Sequence, residues 1–205
     1  MGKIKQSELR GKKGILIIIS GPSGSGKTTL AGKIIKEKGL KSRLKKSISF
    51  TTRHMRSGES KGKDYFFISE EEFRKLRRAK KILEWTKYIG YYYGTPKEFV
   101  DRELERGHNI VLCVDLKGVL KLRQFFSGNS ISIFIMPPSI EVLKYRIENR
   151  CKRIKKEEVL RRIDLAKKEM LQVDKFDFCL KNEDLQDSIK QLREFILKKI
   201  DVKKR

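Results

Sequence analysis

A parallel β-sheet covered by helices, an α/β fold, is what this 205-residue sequence predicts, and three observations carry the prediction. Ile15-Leu16-Ile17-Ile18-Ile19 is a continuous, largely β-branched run, the pattern of a strand buried on both faces. A glycine-rich turn and a helical stretch follow it directly. Later segments repeat the strand–helix alternation, which belongs to a parallel sheet with crossover helices.

The elements follow in order. Residues 1–13 form a polar, basic leader that is expected to fray. After the first strand and its turn, a helix is expected from about Lys27 to Lys38, stopped by Gly39. Asn109 to Val114 reads as a second buried strand, Leu116 to Phe126 as a helix, and Ser130 to Met136 as a strand ended by Pro137-Pro138. Ser139 to about Leu171 reads as a long charged helical region, with Arg162 on its second helical stretch. Phe178 to Lys181 is a short last strand, and Leu185 to Ile200 an amphipathic closing helix. The middle differs. Short apolar or aromatic runs (Ser47 to Phe50, Tyr65 to Ile68, Leu83 to Ile89) surround one helix whose capping box is Ser69 with Glu72. A second box, Thr95-Pro96-Lys97-Glu98, puts Pro at the first helical position of a helix that Gly107 closes. Residues 45–95 therefore read as a small β-rich insertion into one domain spanning 14–205, with core segments 14–44, 96–138 and 172–205.

Composition excludes several classes. Lys and Arg number 50 against 26 Asp and Glu, a formal charge of +24 that attracts polyanions such as nucleic acid, anionic membrane or phosphate-rich small molecules. The apolar run Ile15–Ile19 is far too short to cross a bilayer and lacks the shape of a secretory signal. Met1-Gly2 is followed by Gln6 where a myristoylation signal wants Ser or Thr. Cys113, Cys151 and Cys179 are odd in number and unpaired in spacing, and only His54 and His108 accompany them. Neither a disulfide framework nor a zinc site follows, and a cytoplasmic setting is expected. Oligomeric state is not set by any of these features.

Gly21-Pro22-Ser23-Gly24-Ser25-Gly26-Lys27-Thr28 matches GxxxxGK[ST], with a buried strand before it and a helix after it. Glycines let successive backbone N–H groups turn inward around a phosphate, and the helix N-terminus adds positive dipole. Lys27 reaches the outer phosphates and the Thr28 hydroxyl can ligate Mg²⁺. This predicts a nucleoside triphosphate but leaves the acceptor open.

The insertion narrows the acceptor. Ser47-Ile48-Ser49-Phe50-Thr51-Thr52-Arg53-His54-Met55-Arg56 precedes Gly58-Glu59 and Gly62-Lys63-Asp64-Tyr65-Phe66-Phe67. Leu83-Glu84-Trp85 and Gly90-Tyr91-Tyr92-Tyr93-Gly94-Thr95 come later. From Ile15 to about Ile200 the sequence resembles guanylate kinase, the nucleoside monophosphate kinase that moves a phosphoryl group from ATP to GMP. The resemblance implies that Arg53, Arg56, Tyr65 and Tyr93 hold the GMP phosphate, and that Ser49, Glu84 and Thr95 read guanine. Chemistry agrees: arginine supplies planar bidentate donors for a phosphate, and one carboxylate can accept guanine's ring N–H and exocyclic amine together. Asp115, after the second strand, lies at the sheet's ligand-binding edge, and the resemblance implies that it helps seat GMP.

By the same resemblance residues 139–171 are a lid whose Arg146, Arg150 and Arg162 join Lys27 and Arg53 in catalysis. Residues Gly21 to Thr28, with Thr29 and Asn182, would bind ATP, and Mg²⁺ would come with ATP. The expected partners are ATP and GMP or dGMP, with no specific nucleic acid and no membrane. Four positions depart from the family pattern. Cys113 replaces the first acid of an acid-x-Asp motif, Lys117 a usual Gln, Cys151 a glycine at the start of the mobile lid, and Lys181 an apolar residue beside Asn182. Without the first acid, metal support is expected to be weaker. Three alternatives remain: a related kinase on a phosphorylated sugar, a phosphopeptide-binding module of the same fold, and a basic nucleic-acid-binding P-loop protein. The guanine-reading set opposes the first and the complete loop the second. The third would use Lys41 to Lys46 and Arg74 to Lys81, but no nucleic-acid module is recognisable.

Overall fold

The computed structural model describes residues 13–150 and 155–202. In chain order the strands are β1 (Leu16–Ser20), β2 (Leu44–Lys46), β3 (Phe50–Thr51), β4 (Phe66–Phe67), β5 (Ile82–Tyr88), β6 (Tyr91–Pro96), β7 (Asn109–Cys113), β8 (Ser130–Met136) and β9 (Phe178–Lys181). The helices are α1 (Lys27–Ile34), α2 (Glu70–Arg78), α3 (Lys97–Glu105), α4 (Leu116–Phe125), α5 (Ile140–Arg150), α6 (Lys156–Met170) and α7 (Leu185–Val202).

Five strands form a parallel sheet in the order β2-β7-β1-β8-β9, the α/β architecture that the alternation predicts. Successive side chains of a strand point to opposite faces, so a central strand covered on both sides needs apolar residues throughout. Strand β1 shows this directly. Ile17 and Ile19 pack on one face with Leu30 and Ile34 of α1 and Leu192 and Ile196 of α7. Leu16 and Ile18 pack on the other with Val100 and Leu104 of α3 and Val119 and Leu122 of α4. Edge strand β9 alternates instead, with Leu180 buried and Lys181 exposed in an ion pair with Glu183 at 2.5 Å.

The middle of the chain forms a second sheet, β4-β3-β6-β5. Strands β5 and β6 make a hairpin whose two tip residues, Ile89 and Gly90, have φ of 47° and 82°, the two positive values of a type I′ turn. Helix α2 covers this sheet through Phe73, whose ring stacks on Tyr92 at 5.2 Å between centroids. Gly94 is required beneath it, because a Cβ there would lie 2.8 Å from Ile82 Cγ2 and 3.0 Å from Phe73 Cζ.

Local signals hold where they are short-range. The Glu72 N–H donates to Ser69 Oγ at 3.0 Å, as the capping box predicts, and Gly107 (φ 79°) follows the end of α3. The second box is corrected. Pro96 is the N-cap and the last residue of β6, not the first helical residue, and no side chain caps the helix. The Thr95 hydroxyl donates across the sheet to Glu84 instead, since both are buried and neither has water to turn to. Helix α1 also ends at Ile34, earlier than expected, and the chain continues in i→i−3 turns to Leu40. The long charged region after Ser139 is two helices, α5 and α6, and Cys151 between them lies outside the described residues. So does the leader up to residue 12. Among the described residues no helix is long and apolar enough to cross a membrane.

Candidate active site

One cleft of about 680 Å³ runs along the C-terminal ends of β1 and β7, between the second sheet and helices α5 and α6. It collects the sequence-predicted residues Gly21, Ser23, Gly24, Gly26, Lys27, Thr28 and Thr29 from the loop, and Ser49, Arg53, Arg56, Tyr65, Glu84 and Tyr93 from the insertion. Asp115, Arg146, Arg162 and Asn182 complete the wall. Three predicted residues stand just behind it. Pro22 and Ser25 act through their carbonyls, and Thr95 is buried beneath Glu84. Arg150 is the last residue of α5.

The loop is built by backbone geometry. Gly21, Gly24 and Gly26 have φ of 134°, 92° and 99°, values that side-chain-bearing residues rarely adopt. Lys27 Nζ donates to the carbonyls of Gly21 (2.5 Å) and Pro22 (2.7 Å), which arches the loop under its ammonium group. Asn182, buried after β9, donates through Nδ2 to the Ser25 carbonyl at 2.8 Å. A Cβ on Gly26 would stand 2.2 Å from that same nitrogen. Asn182 thus braces the loop from 157 residues away, besides facing the cleft. Lys181 does not disturb it, because the strand alternation turns Lys181 outward.

On the acceptor side, Arg53 is buried with its guanidinium clamped by Glu59 in two 2.7 Å hydrogen bonds, and it also donates to the His54 carbonyl. The rings of Tyr65 and Phe67 lie 5.1 and 5.5 Å from its Cζ. Burial works to raise the Glu59 carboxyl, but the Arg53 fork and the Arg56 N–H outweigh it and leave it below the ordinary range. Tyr65 and Tyr93 meet edge-on at 5.9 Å between centroids. Together they form a rigid cationic corner with phenol donors, suited to a phosphate.

Glu84 is nearly fully buried, and its Oε1 accepts from the Thr95 hydroxyl at 2.6 Å. Gly118 of α4 leaves room for it, since a Cβ there would lie 2.9 Å from Oε2. Burial pushes the carboxyl up to about 7; the Thr95 hydrogen bond and Lys121 favour the carboxylate, and Asp115 opposes it. Between the ordinary value of 4.5 and about 7 the folded protein holds a proton that the unfolded chain has released. Glu84 therefore subtracts from stability as pH rises through that window. Carbon-13 NMR of the Glu84 carboxyl is expected to show a midpoint near 7. Thr95→Val should move it higher still, and a midpoint near 4 in the parent protein would contradict the desolvated site.

Asp115 caps α4, accepting from the Gly118 N–H at 2.9 Å. Cys113, at the end of β7, is partly buried in the same wall, and burial raises its thiol against the pull of Lys27 and Lys46. It adds no negative charge where the family pattern has an acid. Lys117 is exposed. From the helical side, Arg162 of α6 is buried, pairing through Nε (3.0 Å) and Nη2 (2.5 Å) with Glu158 and donating through Nη1 to Ser23 Oγ at 3.2 Å. Arg146 lines the cleft, and its Nη1 is buried with no hydrogen-bond partner among the described residues.

Glu59, which clamps Arg53, and Tyr88, Tyr145 and Glu169, which line the cleft, are among the site residues to which the sequence motifs assign no role. Glu59 was within reach, since an acid six residues after a phosphate-type arginine is a natural counter-ion. The other three carry no local motif, and topology alone brings them to the cleft. Among the described residues no group of His, Cys, Asp and Glu side chains forms a metal cage. The hydroxyls of Ser23, Thr28 and Thr29 and the carboxyls of Asp115 and Glu169 are among the oxygen donors that line the cleft.

The sequence matches the family model described as guanylate kinase over residues 13–199. It is 44% identical over 187 residues to a guanylate kinase of Caldanaerobacter subterraneus subsp. tengcongensis, covering 91% of this chain and 88% of that protein. It is 37% identical over 186 residues to one of Wolbachia pipientis wMel, covering 91% and 90%. The fold is similar to the crystal structure of guanylate kinase from Anaplasma phagocytophilum, with a TM-score of 0.75 at 28% identity over 92% of this chain and 87% of that one. A family match across nearly the whole described chain, on the fold and the cleft that carry its motifs, means that this protein belongs to the guanylate kinase family.

Proposed function

We propose that the protein is an ATP:GMP phosphotransferase. It reversibly transfers the γ-phosphoryl group of ATP to GMP or dGMP to give ADP and the diphosphate, in purine nucleotide metabolism in the cytoplasm. The observation that carries this reading is a buried carboxylate, Glu84, pinned by Thr95 in the same cleft as a complete phosphate loop. Residues 14–44, 96–138 and 172–205 act as the core, 45–95 as the GMP-binding insertion and 139–171 as the lid.

Loop amides and Lys27 hold the ATP phosphates, with Asn182 bracing the loop and facing the adenine side. Arg53, Arg56, Tyr65 and Tyr93 hold the acceptor phosphate, while Glu84, Thr95, Ser49 and Asp115 seat guanine. An anionic phosphate oxygen of GMP forms the new bond to the γ-phosphorus as the bond to the bridging oxygen of ADP breaks, so no general base is needed. Arg146, Arg150 and Arg162 neutralise charge on the transferring group and exclude water that would hydrolyse ATP. The donors near the loop fit a divalent ion that arrives on the nucleotide rather than one caged by protein. Mg²⁺ held by the Thr28 hydroxyl would neutralise phosphate charge there.

ATP consumption with GMP, dGMP, AMP, CMP, UMP and ribose bisphosphate tests the proposal. Turnover confined to the guanine nucleotides and absent in Lys27→Ala is expected. Equal turnover of AMP would refute it.

A further inference from the structure

Glu158 lies in the first turn of α6, and Arg162 stands one turn further on. Four positions apart, the two share one face of the helix, with the acid on the N-terminal side. A single carboxylate oxygen, Glu158 Oε1, accepts from both Nε (3.0 Å) and Nη2 (2.5 Å) of Arg162. The other terminal nitrogen, Nη1, donates to Ser23 Oγ of the phosphate loop at 3.2 Å.

A guanidinium carries five N–H donors in one rigid plane. These three bonds fix the plane from two directions and leave an N–H on each terminal nitrogen, a pair matched to two oxygens of a phosphate. The two partners differ in burial: the Arg162 side chain is 10% exposed and that of Glu158 36%. A pair so open to water on its acidic side adds little to folding. The charge of Glu158 also works against binding an anionic nucleotide in the cleft that Arg162 lines. Neither stability nor ground-state affinity accounts for the acid, whereas orientation of the arginine does.

We propose that Glu158 is a positioning residue for phosphoryl transfer, holding the Arg162 guanidinium in the plane that presents its remaining N–H pair to the transferring group. It acts through Arg162 and touches no substrate. Orientation at the reacting group governs rate more than affinity. The inference rests on the phosphotransferase reading.

Glu158→Ala removes the accepting oxygen. It is expected to lower kcat about thirtyfold, with KM for ATP and GMP within twofold of the parent and an unchanged melting temperature. Glu158→Gln keeps one oxygen able to accept both N–H groups and should return kcat to within threefold of the parent. In an Arg162→Ala background, where single-turnover quench measurements read even slow transfer, Glu158→Ala should change the rate less than twofold. An unchanged kcat in Glu158→Ala, an effect confined to KM, a Gln variant as slow as the Ala variant, or losses that multiply in the double variant would each overturn the proposal. A parent enzyme inactive on GMP would instead remove the reading beneath it.

Discussion

Arg162→Ala is expected to lower kcat by about 10³-fold while KM for ATP and GMP changes only a few-fold. In phosphoryl transfer there is little covalent work for a protein to do, and a well-placed arginine is worth roughly 10³ to 10⁵ in rate. Arg162 has the features such a residue needs. It is buried, so its charge acts with little screening by water, and three of its nitrogens are anchored before any substrate arrives. Its position on α6 faces the phosphate loop, not the guanine end, so ground-state binding of GMP should survive its loss. Steady-state kinetics with saturating ATP and GMP check this. A variant whose kcat stays within threefold of the parent would show that Arg162 is a structural partner of Glu158 and nothing more.

Glu84→Gln should lower kcat/KM for GMP by about 10³-fold or more and collapse the preference for GMP over AMP. A carboxylate offers two oxygens to guanine's ring N–H and exocyclic amine. An amide offers one oxygen and turns its own N–H₂ toward the other donor, leaving two buried donors opposed. Sites built to satisfy a substrate's donors discriminate by roughly 10⁴ or more, and Glu84 is expected to carry much of that factor. The substitution keeps the volume, and the Thr95 hydroxyl can still donate to the amide oxygen, so folding should survive. The ratio of kcat/KM for GMP to that for AMP is the measurement. A ratio unchanged from the parent would refute the guanine-reading role.

The surplus of +24 charges divides along similar lines. Lys27, Arg53, Arg146 and Arg162 face the cleft, but many basic residues elsewhere are exposed. Some neutralise buried acids. Glu103 on α3 is buried among Lys45, Arg102, Arg106 and His108, and the Lys45 hydrogen bond foremost draws its carboxyl down to about 2. That cluster lies outside the cleft.

How much was legible follows from the range of each interaction. The α/β class, the buried strand β1 and the phosphate loop could be read because periodicity and eight consecutive residues determine them. Backbone geometry over that span depends on the residues within it. Thr95 shows where local reading fails: a capping template four residues long assigned its hydroxyl to a helix end, while burial gave it to Glu84 eleven residues away. The end of α1 was likewise beyond patterns of charge and propensity.

By itself, then, the sequence determined the fold class, the phosphate loop and the set of residues available to bind two nucleotides. Tertiary structure alone decided how those residues are held: Asn182 against Ser25, Glu59 on Arg53, and Arg162 against Ser23. The physical reason is that a buried polar group must find a partner wherever packing offers one. Which partner packing offers is settled by helices and hairpins that bring together residues up to 157 positions apart.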